Sequence, residues 1–467
     1  MKVRYFSILA FSFFILLTAS TTVMKNANTA LVLQGDPILP DEPFDYDISF
    51  PEHVIFGPWS SVDSSLVNEL ITPEGATLGR VLFYDKKLSA SNELSCASCH
   101  KQAFAFADNK PFSDGINGAT TARNSPNLND LAWGSSFFID IFGGGGALFW
   151  DARETDLERM VLQPIEHEGE LGKDLAYLME KLRNAEYYAP LFIDAFGSAE
   201  ITPERVGSAI AQFVRSMSSF DSKFDQMMMG QASFTAQEQE GFNLFIESCG
   251  QFCHSDPHFG IAFPMRNGLD AEYEDIGVAE WTESDLDNGK FRSPSLRNIA
   301  VTAPYMHDGR FETLEEVVDF YSDGVFTDER NDFQWVTNDQ DFSGFDFNDG
   351  QKAALVAFLN TLTDESFLTG PKWSDPFEPS TGSHFLPLEE EVLIYPNPMM
   401  DKATIRFDNA RGDTYRLRLT SVDGRVLRSF KTASSTFVLE KEELNAGVYF
   451  LEIRKGNRQQ IEKLVVQ

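Results

Sequence analysis

The run Cys96-Ala97-Ser98-Cys99-His100 decides how this chain is read. In a C-x-x-C-H run the two thiols can add to the vinyl groups of a haem, and the adjoining imidazole can reach the iron from the proximal side. Alone, such a run could also be half of a zinc site or a short-range disulfide. A second run, Cys249-Gly250-Gln251-Phe252-Cys253-His254, shifts the weighting. The two runs use all 4 cysteines of the chain, and each pair ends in its own histidine. Two covalently bound c-type haems are expected, with zinc and disulfides as the weaker alternatives. The second run has three residues between its cysteines instead of two, so its attachment loop must bulge.

Length and charge set the frame around these motifs. A chain of 467 residues can form about three domains, each with its own core. A formal charge of -33 argues against nucleic acid and against an anionic membrane surface as partners. From Glu389 onward 13 basic residues face 12 acidic ones, so the negative charge lies upstream of that point. An acidic haem protein suits a basic redox partner, although solubility alone would also account for the charge. The 42 phenylalanines fit helices packed around flat cofactors and fit an ordinary core equally well.

Outward from the motifs, the chain divides as follows. Lys2 and Arg4 precede an apolar run from Tyr5 to Leu17 and the small residues Ala19 and Ser20, which reads as a signal peptide over 1–20. No cysteine near that site provides for a lipid anchor, and no other stretch is apolar enough to span a bilayer, so no integral membrane protein is expected. A leader or arm is expected over 21–50. The four glycines at 143–146 read as a flexible turn, and Leu157, Met160 and Val161 keep helical spacing until Pro164 interrupts it. Thr202-Pro203 supplies a cap and a first-turn proline for a helix with Val206, Ile210 and Phe213 on its apolar face. Thr235 with Glu238 forms a capping box for a helix carrying Phe242, Phe245 and Ile246 into the second motif. Further helices are expected from Leu314 to Tyr321 and from about Gln351 to Thr361, the latter packing back on the first domain.

The expected architecture is mainly α, with two cytochrome c-like haem domains (51–220 and 221–371) followed by a small all-β sandwich (389–467). A linker over 372–388 separates the two parts. In the sandwich the pattern changes to period two at Ala403–Phe407, Tyr415–Leu419 and Val448–Ile453, with a hairpin signal at Asp423-Gly424. The sandwich contains no histidine and no cysteine, so no chemistry is expected there.

Between about Leu78 and Leu368 the chain resembles the bacterial di-haem cytochrome c peroxidase family, including its MauG-like branch. The resemblance rests on Leu78-Gly79-Arg80-Val81-Leu82-Phe83-Tyr84-Asp85, the first haem motif, Arg123-Asn124-Ser125-Pro126 and Phe149-Trp150-Asp151-Ala152-Arg153. It continues through Ser293-Pro294-Ser295-Leu296-Arg297-Asn298 and Thr302-Ala303-Pro304-Tyr305-Met306-His307-Asp308-Gly309. The C-terminal region separately resembles a type IX secretion sorting domain, on Tyr395-Pro396-Asn397-Pro398, Leu444-Asn445-Ala446-Gly447-Val448-Tyr449 and Lys463-Leu464-Val465-Val466. That likeness implies passage through the type IX secretion machinery to the cell surface or beyond.

The family resemblance implies a peroxide-reacting haem on Cys96, Cys99 and His100, and an electron-transfer haem on Cys249, Cys253 and His254. It implies a catalytic set of Glu170 as the acid, Trp150 between the haems and Pro164, and that Asn124 with the carbonyls of Thr302 and Pro304 binds calcium (Ca2+). A hard oxygen donor set suits that ion. The resemblance also implies that Tyr321, fourteen residues after His307, is the second haem's distal ligand, with Met306 as the alternative. A carboxyl group near a peroxide can move a proton from one oxygen to the other, and Glu166, Glu168 and Glu170 all cluster after Pro164. The family's distal histidine is missing from 114–123; His167 is the nearest spare imidazole and is expected at the surface or in the pocket wall. The implied activity is reduction of hydrogen peroxide to water with electrons from a small cytochrome c or cupredoxin. The rivals are a MauG-like oxidase of a protein or organic substrate and a non-catalytic electron carrier.

Overall fold

A computed structural model describes residues 34–55, 68–131, 148–172, 174–251, 253–254, 259–327, 330–333, 337, 339, 341–377, 386–387, 392–407, 409, 414–421, 426–441, 444–455 and 458–467. The signal peptide, the 143–146 turn, the Asp423-Gly424 hairpin and most of the linker lie outside those residues.

Two helix crossings carry the haem-motif region, and a glycine makes each possible. Helix α1 (Pro73–Tyr84) crosses a later helix, α3 (Pro203–Arg215), after the short α2 (Gln163–Glu166). A Cβ on Gly79 would stand 1.9 Å from the carbonyl oxygen of Ala209 and 2.9 Å from Phe213 Cβ, so no larger residue fits. Helix α4 (Ala236–Glu247) crosses α6 (Asp349–Asn360) in the same way, with α5 (Leu314–Asp319) packed alongside α6. There a Cβ on Gly241 would stand 1.9 Å from the Ala354 carbonyl oxygen and 2.9 Å from Phe358 Cβ.

Local chemistry starts these helices where the sequence places them. The Thr202 hydroxyl accepts from Arg205 N–H ahead of α3, and Thr235 and Glu238 form the reciprocal box ahead of α4. Val206, Ile210 and Phe213 are buried, and each contributes about 1.5–3 kcal/mol by leaving water. They join Leu78, Leu82, Phe83 and Phe106 in a first core, while Phe224, Phe245, Phe259, Leu355 and Phe358 form a second. Pro164 does more than end a helix: it occupies the first turn of α2, where its missing N–H has no partner to lose.

Several expectations are redrawn by packing. The helix expected at Gln351–Thr361 lies on α4 within the second core, not on the first domain, because Leu355 and Phe358 face Phe245. The segment that returns to the first core comes later: Phe367 packs edge-on against Phe106, Tyr84 Oη donates to the Trp373 carbonyl at 2.7 Å, and Arg80 Nε donates to the Ser374 carbonyl at 2.6 Å. Tyr46 and Ile48 of the expected arm are buried in that core too. Ile246 points outward at 48% exposure, leaving Phe245 as the inward residue of its turn. Helices make up only about 37% of the described residues, less than a mainly α expectation implies, and the C-terminal region adds two β-sheets.

The C-terminal region is β. Following β1 (Ile261–Met265) and β2 (Phe291–Ser293), which pair near the second motif, the strands are β3 (Leu386–Pro387), β4 (Leu393–Tyr395), β5 (Lys402–Arg406), β6 (Tyr415–Ser421), β7 (Val426–Thr432), β8 (Thr436–Glu440), β9 (Gly447–Lys455) and β10 (Arg458–Val466). One sheet has the order β3-β10-β9-β6-β7 and the other β4-β5-β8. Alternate residues of both, among them Ile405, Tyr415, Leu419, Leu451 and Leu464, form a separate core.

Candidate di-haem site

The two histidines are held alike. His100 follows a single helical turn, Cys96–Cys99, that Ser95 and Ser98 brace through reciprocal hydrogen bonds. Its Nδ1 bonds the Phe106 carbonyl oxygen at 2.7 Å, and His254 Nδ1 bonds the Phe259 carbonyl oxygen at 2.9 Å. Such a bond makes Nδ1 the protonated nitrogen and leaves the lone pair on Nε2 for a metal. Burial lowers the pKa of both rings, that of His254 to about 4, which keeps them neutral as an iron ligand must be. All four cysteines are free thiols, so the disulfide alternative falls. Burial pushes the Cys96 and Cys253 thiols up to about 12 and that of Cys99 up to about 11. Among the described residues no group of three His, Cys, Asp or Glu could hold a metal ion, which leaves zinc without ligands there.

Beside the second motif lies a largely apolar cavity. Cys249, Cys253 and His254 line it together with Phe245, Leu314, Val318, Leu355 and Leu359, and Met306 and Tyr321 line it too. Tyr321 lies in a π-helical turn, Phe320–Gly324, that follows α5; such turns re-aim a side chain and recur at functional sites. Asn267 Nδ2 donates to Tyr321 Oη at 3.1 Å, while burial holds the phenol well above its usual pKa. Met306, at φ 74°, takes the left-handed backbone region. Both distal candidates thus reach one cavity.

Arg292 is the residue that sequence reasoning missed. It lines the cavity and is 9% exposed, its Nε has no hydrogen-bond partner, and no carboxylate pairs with it among the described residues. Burial alone lowers its pKa to about 10. A buried cation without a counter-charge is costly, and a carboxylate-bearing planar cofactor would supply one. An apolar slot with two thiols, a neutral imidazole and an unpaired guanidinium fits a haem with its propionates. No local pattern marks Arg292, since its isolation arises from tertiary burial.

At the first motif Glu170 stands apart from its neighbours. Glu166 and Glu168 are exposed, whereas Glu170 is partly buried, and burial raises its carboxyl pKa against the lowering effect of His167 and Arg153. Its charge in turn raises the pKa of Cys96 and Cys99. The Glu170 carbonyl accepts from Ile116 N–H at 3.1 Å, and a Cβ on Gly115 would stand 1.8 Å from the Gly169 carbonyl oxygen. The histidine-free 114–123 loop therefore packs directly on the acid's turn. Pro164 ties in through its carbonyl, which accepts from Leu171 N–H at 3.2 Å. His167 is on the surface, its side chain 62% exposed, 3.5 Å from Glu170 Oε1.

Trp150 bridges the two halves of the chain. Its Nε1 donates to the Asn124 carbonyl at 2.8 Å, and its own carbonyl accepts from Arg292 N–H at 2.8 Å. Next to it, Arg123 bonds Asp151 at 2.6 Å and grips Asp275 through Nε and Nη2, each at 2.7 Å. Asn124, Thr302 and Pro304 line the same cavity. Asn124 spends its Nδ2 on the Lys110 carbonyl at 3.0 Å, which leaves Oδ1 as an acceptor.

Comparison with known proteins agrees with this construction. The family described as di-haem cytochrome c peroxidase matches residues 73–233. The methylamine utilization protein MauG of Methylorubrum extorquens is 32% identical over 310 residues, spanning 63% of this chain and 80% of that protein. The chain belongs to the di-haem cytochrome c peroxidase/MauG family. Cytochrome c551 peroxidase of Nitrosomonas europaea is likewise 32% identical, over 63% of this chain and 82% of its own. Among solved structures, a MauG-like protein associated with microbial copper homeostasis is 35% identical with a TM-score of 0.57, covering 66% of this chain and 94% of that one. The diheme peroxidase BthA of Burkholderia thailandensis shares the fold at 23% identity and a TM-score of 0.53, covering 65% and 90%. Membership makes this chain an oxidoreductase of peroxidase type with haem c cofactors. Residues 393–467 match a secretion system C-terminal sorting domain. No described helix is long and apolar enough to cross a membrane.

Proposed function

We propose that this protein is exported through the type IX route and reduces hydrogen peroxide to water with electrons from a small external donor, a cytochrome c or a cupredoxin. The observation that carries the reading is Trp150, hydrogen-bonded on one side to Asn124 of the first motif's loop and on the other to Arg292 of the second cavity. When bound, the haems supply the iron chemistry of O–O cleavage and store the electrons it consumes. His100 and His254 present Nε2 to iron, and the four thiols anchor the rings. Glu170, its carboxyl pKa raised by burial, takes a proton from the near oxygen of peroxide and returns it to the far one. Trp150 couples the two sites through an oxidisable indole, and Pro164 braces the acid's turn. Asn124 Oδ1 and the carbonyls of Thr302 and Pro304 hold calcium at the junction.

A second reading, MauG-like oxidation of a protein or organic substrate, is favoured by Tyr321, whose buried Oη receives a hydrogen bond from Asn267. An anionic phenolate ligand favours the ferric state, whereas a thioether raises the potential. Domain limits at 51–220, 221–371 and 389–467 belong to the same proposal. Peroxide consumption with a reduced small cytochrome tests it: two cytochromes oxidised per peroxide supports the peroxidase. Peroxide consumed without cytochrome oxidation, with a protein substrate altered instead, supports the oxidase.

A further inference from the structure

Tyr321 is held from two sides beside the second cavity. Its backbone belongs to the π-helical turn, and the segment 345–347 pins that turn. Phe345 N–H donates to the Tyr321 carbonyl at 3.0 Å, Asp346 N–H to the Ser322 carbonyl at 2.7 Å, and Phe347 N–H to Ser322 Oγ at 3.0 Å. Its phenol meets Asn267, which lines the same cavity and whose Nδ2 donates to Oη at 3.1 Å. The amide faces one way only. Asn267 Oδ1 accepts from Leu269 N–H at 3.2 Å, so the donor end is the one turned to the tyrosine. The turn that carries Asn267 is strapped down as well: the Gly268 carbonyl accepts from Phe326 N–H at 2.8 Å, and Arg266 N–H donates to Asp332 Oδ2 at 2.7 Å. Gly268 is at φ 68°, and a Cβ there would stand 2.5 Å from Asn331 Nδ2 and 2.7 Å from the Phe326 carbonyl oxygen. Both the phenol and the amide that touches it are thus fixed by backbone contacts from outside their own turns.

We propose that Asn267 is the positioning residue on the distal side of the second haem. It aims Tyr321 Oη into the cavity and draws charge from that oxygen, so the haem is reduced at a higher potential than a tyrosine ligand alone would allow. A phenolate by itself favours ferric iron, which works against a haem that must take up electrons. A hydrogen bond donated to the ligating oxygen withdraws part of its charge and weakens that preference, as partners of a metal's ligands commonly do. The inference rests on Tyr321 as the distal ligand, and it lets that ligand serve an electron-accepting haem.

The test is an optical redox titration of the full di-haem protein carrying Asn267→Leu, Tyr321→Phe or both. Asn267→Leu removes the donor at nearly constant shape, and Leu269 N–H keeps its second partner, Tyr273 Oη at 2.9 Å. It shifts the second haem's potential down and its phenolate-to-iron charge-transfer band to longer wavelength, with haem content and the first haem's potential unchanged. In the Tyr321→Phe background the same substitution leaves the potential where Tyr321→Phe puts it, because the oxygen it acts on is gone. Asn267→Asp keeps the acceptor for Leu269 N–H and reads the same downward shift should the leucine variant lose haem. A potential that neither variant moves overturns the role of Asn267 and leaves Tyr321 as the ligand. So does an equal shift with and without the Tyr321 oxygen, since it would mark a merely structural residue. A low-spin signal indifferent to Tyr321→Phe overturns the ligand reading, and the role of Asn267 with it.

Discussion

Gly79 under the Ala209 carbonyl and Gly241 under the Ala354 carbonyl are the same helix crossing made twice, each closed by a phenylalanine at 2.9 Å. The histidines repeat the likeness, each held through Nδ1 by the carbonyl of a following phenylalanine. The two regions part company on the far side of the motif. Near His100 a loop without histidine packs on a half-buried glutamate. Near His254 the wall is apolar and holds a tyrosine, a methionine and an unpaired arginine. One backbone device, used twice, positions both imidazoles, so the difference in role must come from what faces them.

The sharpest way to break this comparison is to remove the acid. Glu170→Gln keeps the shape but loses the exchangeable carboxyl, and peroxide cleavage slows by about 10²–10⁴-fold with both haems retained. Stopped-flow optical spectroscopy reads the rate. Glu166→Gln and Glu168→Gln, at exposed positions, leave it near that of the unaltered protein; the opposite pattern would place the acid elsewhere in the cluster. The acid must begin deprotonated to accept a proton. Because burial raises its pKa above the ordinary 4.5, activity falls with decreasing pH at a higher pH than an ordinary carboxylate would give.

A second pair of changes probes the shared half. A methyl group at Gly79 or Gly241 meets a backbone carbonyl that cannot move aside, so Gly79→Ala and Gly241→Ala each cost about 1–3 kcal/mol despite alanine's better helix propensity. Denaturant unfolding checks this, and similar losses at both positions confirm the equivalence. If only one position is sensitive, the two crossings are not the same device.

A third set sharpens the unlike half. Tyr321→Phe changes the low-spin signal and potential of the second haem, and Met306→Leu leaves both in place; the reverse result makes Met306 the ligand. Arg292→Met removes a buried positive charge, so the second haem becomes harder to reduce and its potential falls while the first haem's is unchanged. An optical redox titration reads all three.

What could be read from the chain was local or repetitive. The haem motifs, the Thr202 and Thr235 caps and the period-two strands each lie within a few residues of one another, and each is found in the structure. Only the family resemblance singles out Glu170 in the sequence; its partial burial beside two exposed acids is a tertiary fact. Arg292 and the Phe106 and Phe259 carbonyls leave no trace in a sequence pattern, because a lone arginine becomes an anion site only when folding strips away its partners. Phe367 and Trp373, and not the preceding helix, return to the first core, since apolar helical spacing says that a face is buried and not against what.

The central claim is that equivalent scaffolds present one accessible iron and one enclosed iron. Electron paramagnetic resonance of the oxidised protein as isolated, before and after one equivalent of peroxide, tests it most directly. The account predicts a high-spin ferric signal from the first haem beside a low-spin signal from the second, with the high-spin signal lost on adding peroxide without prior reduction. A wholly low-spin spectrum, indifferent to peroxide until one electron is added, would contradict it and make His167 the ligand that closes the first site.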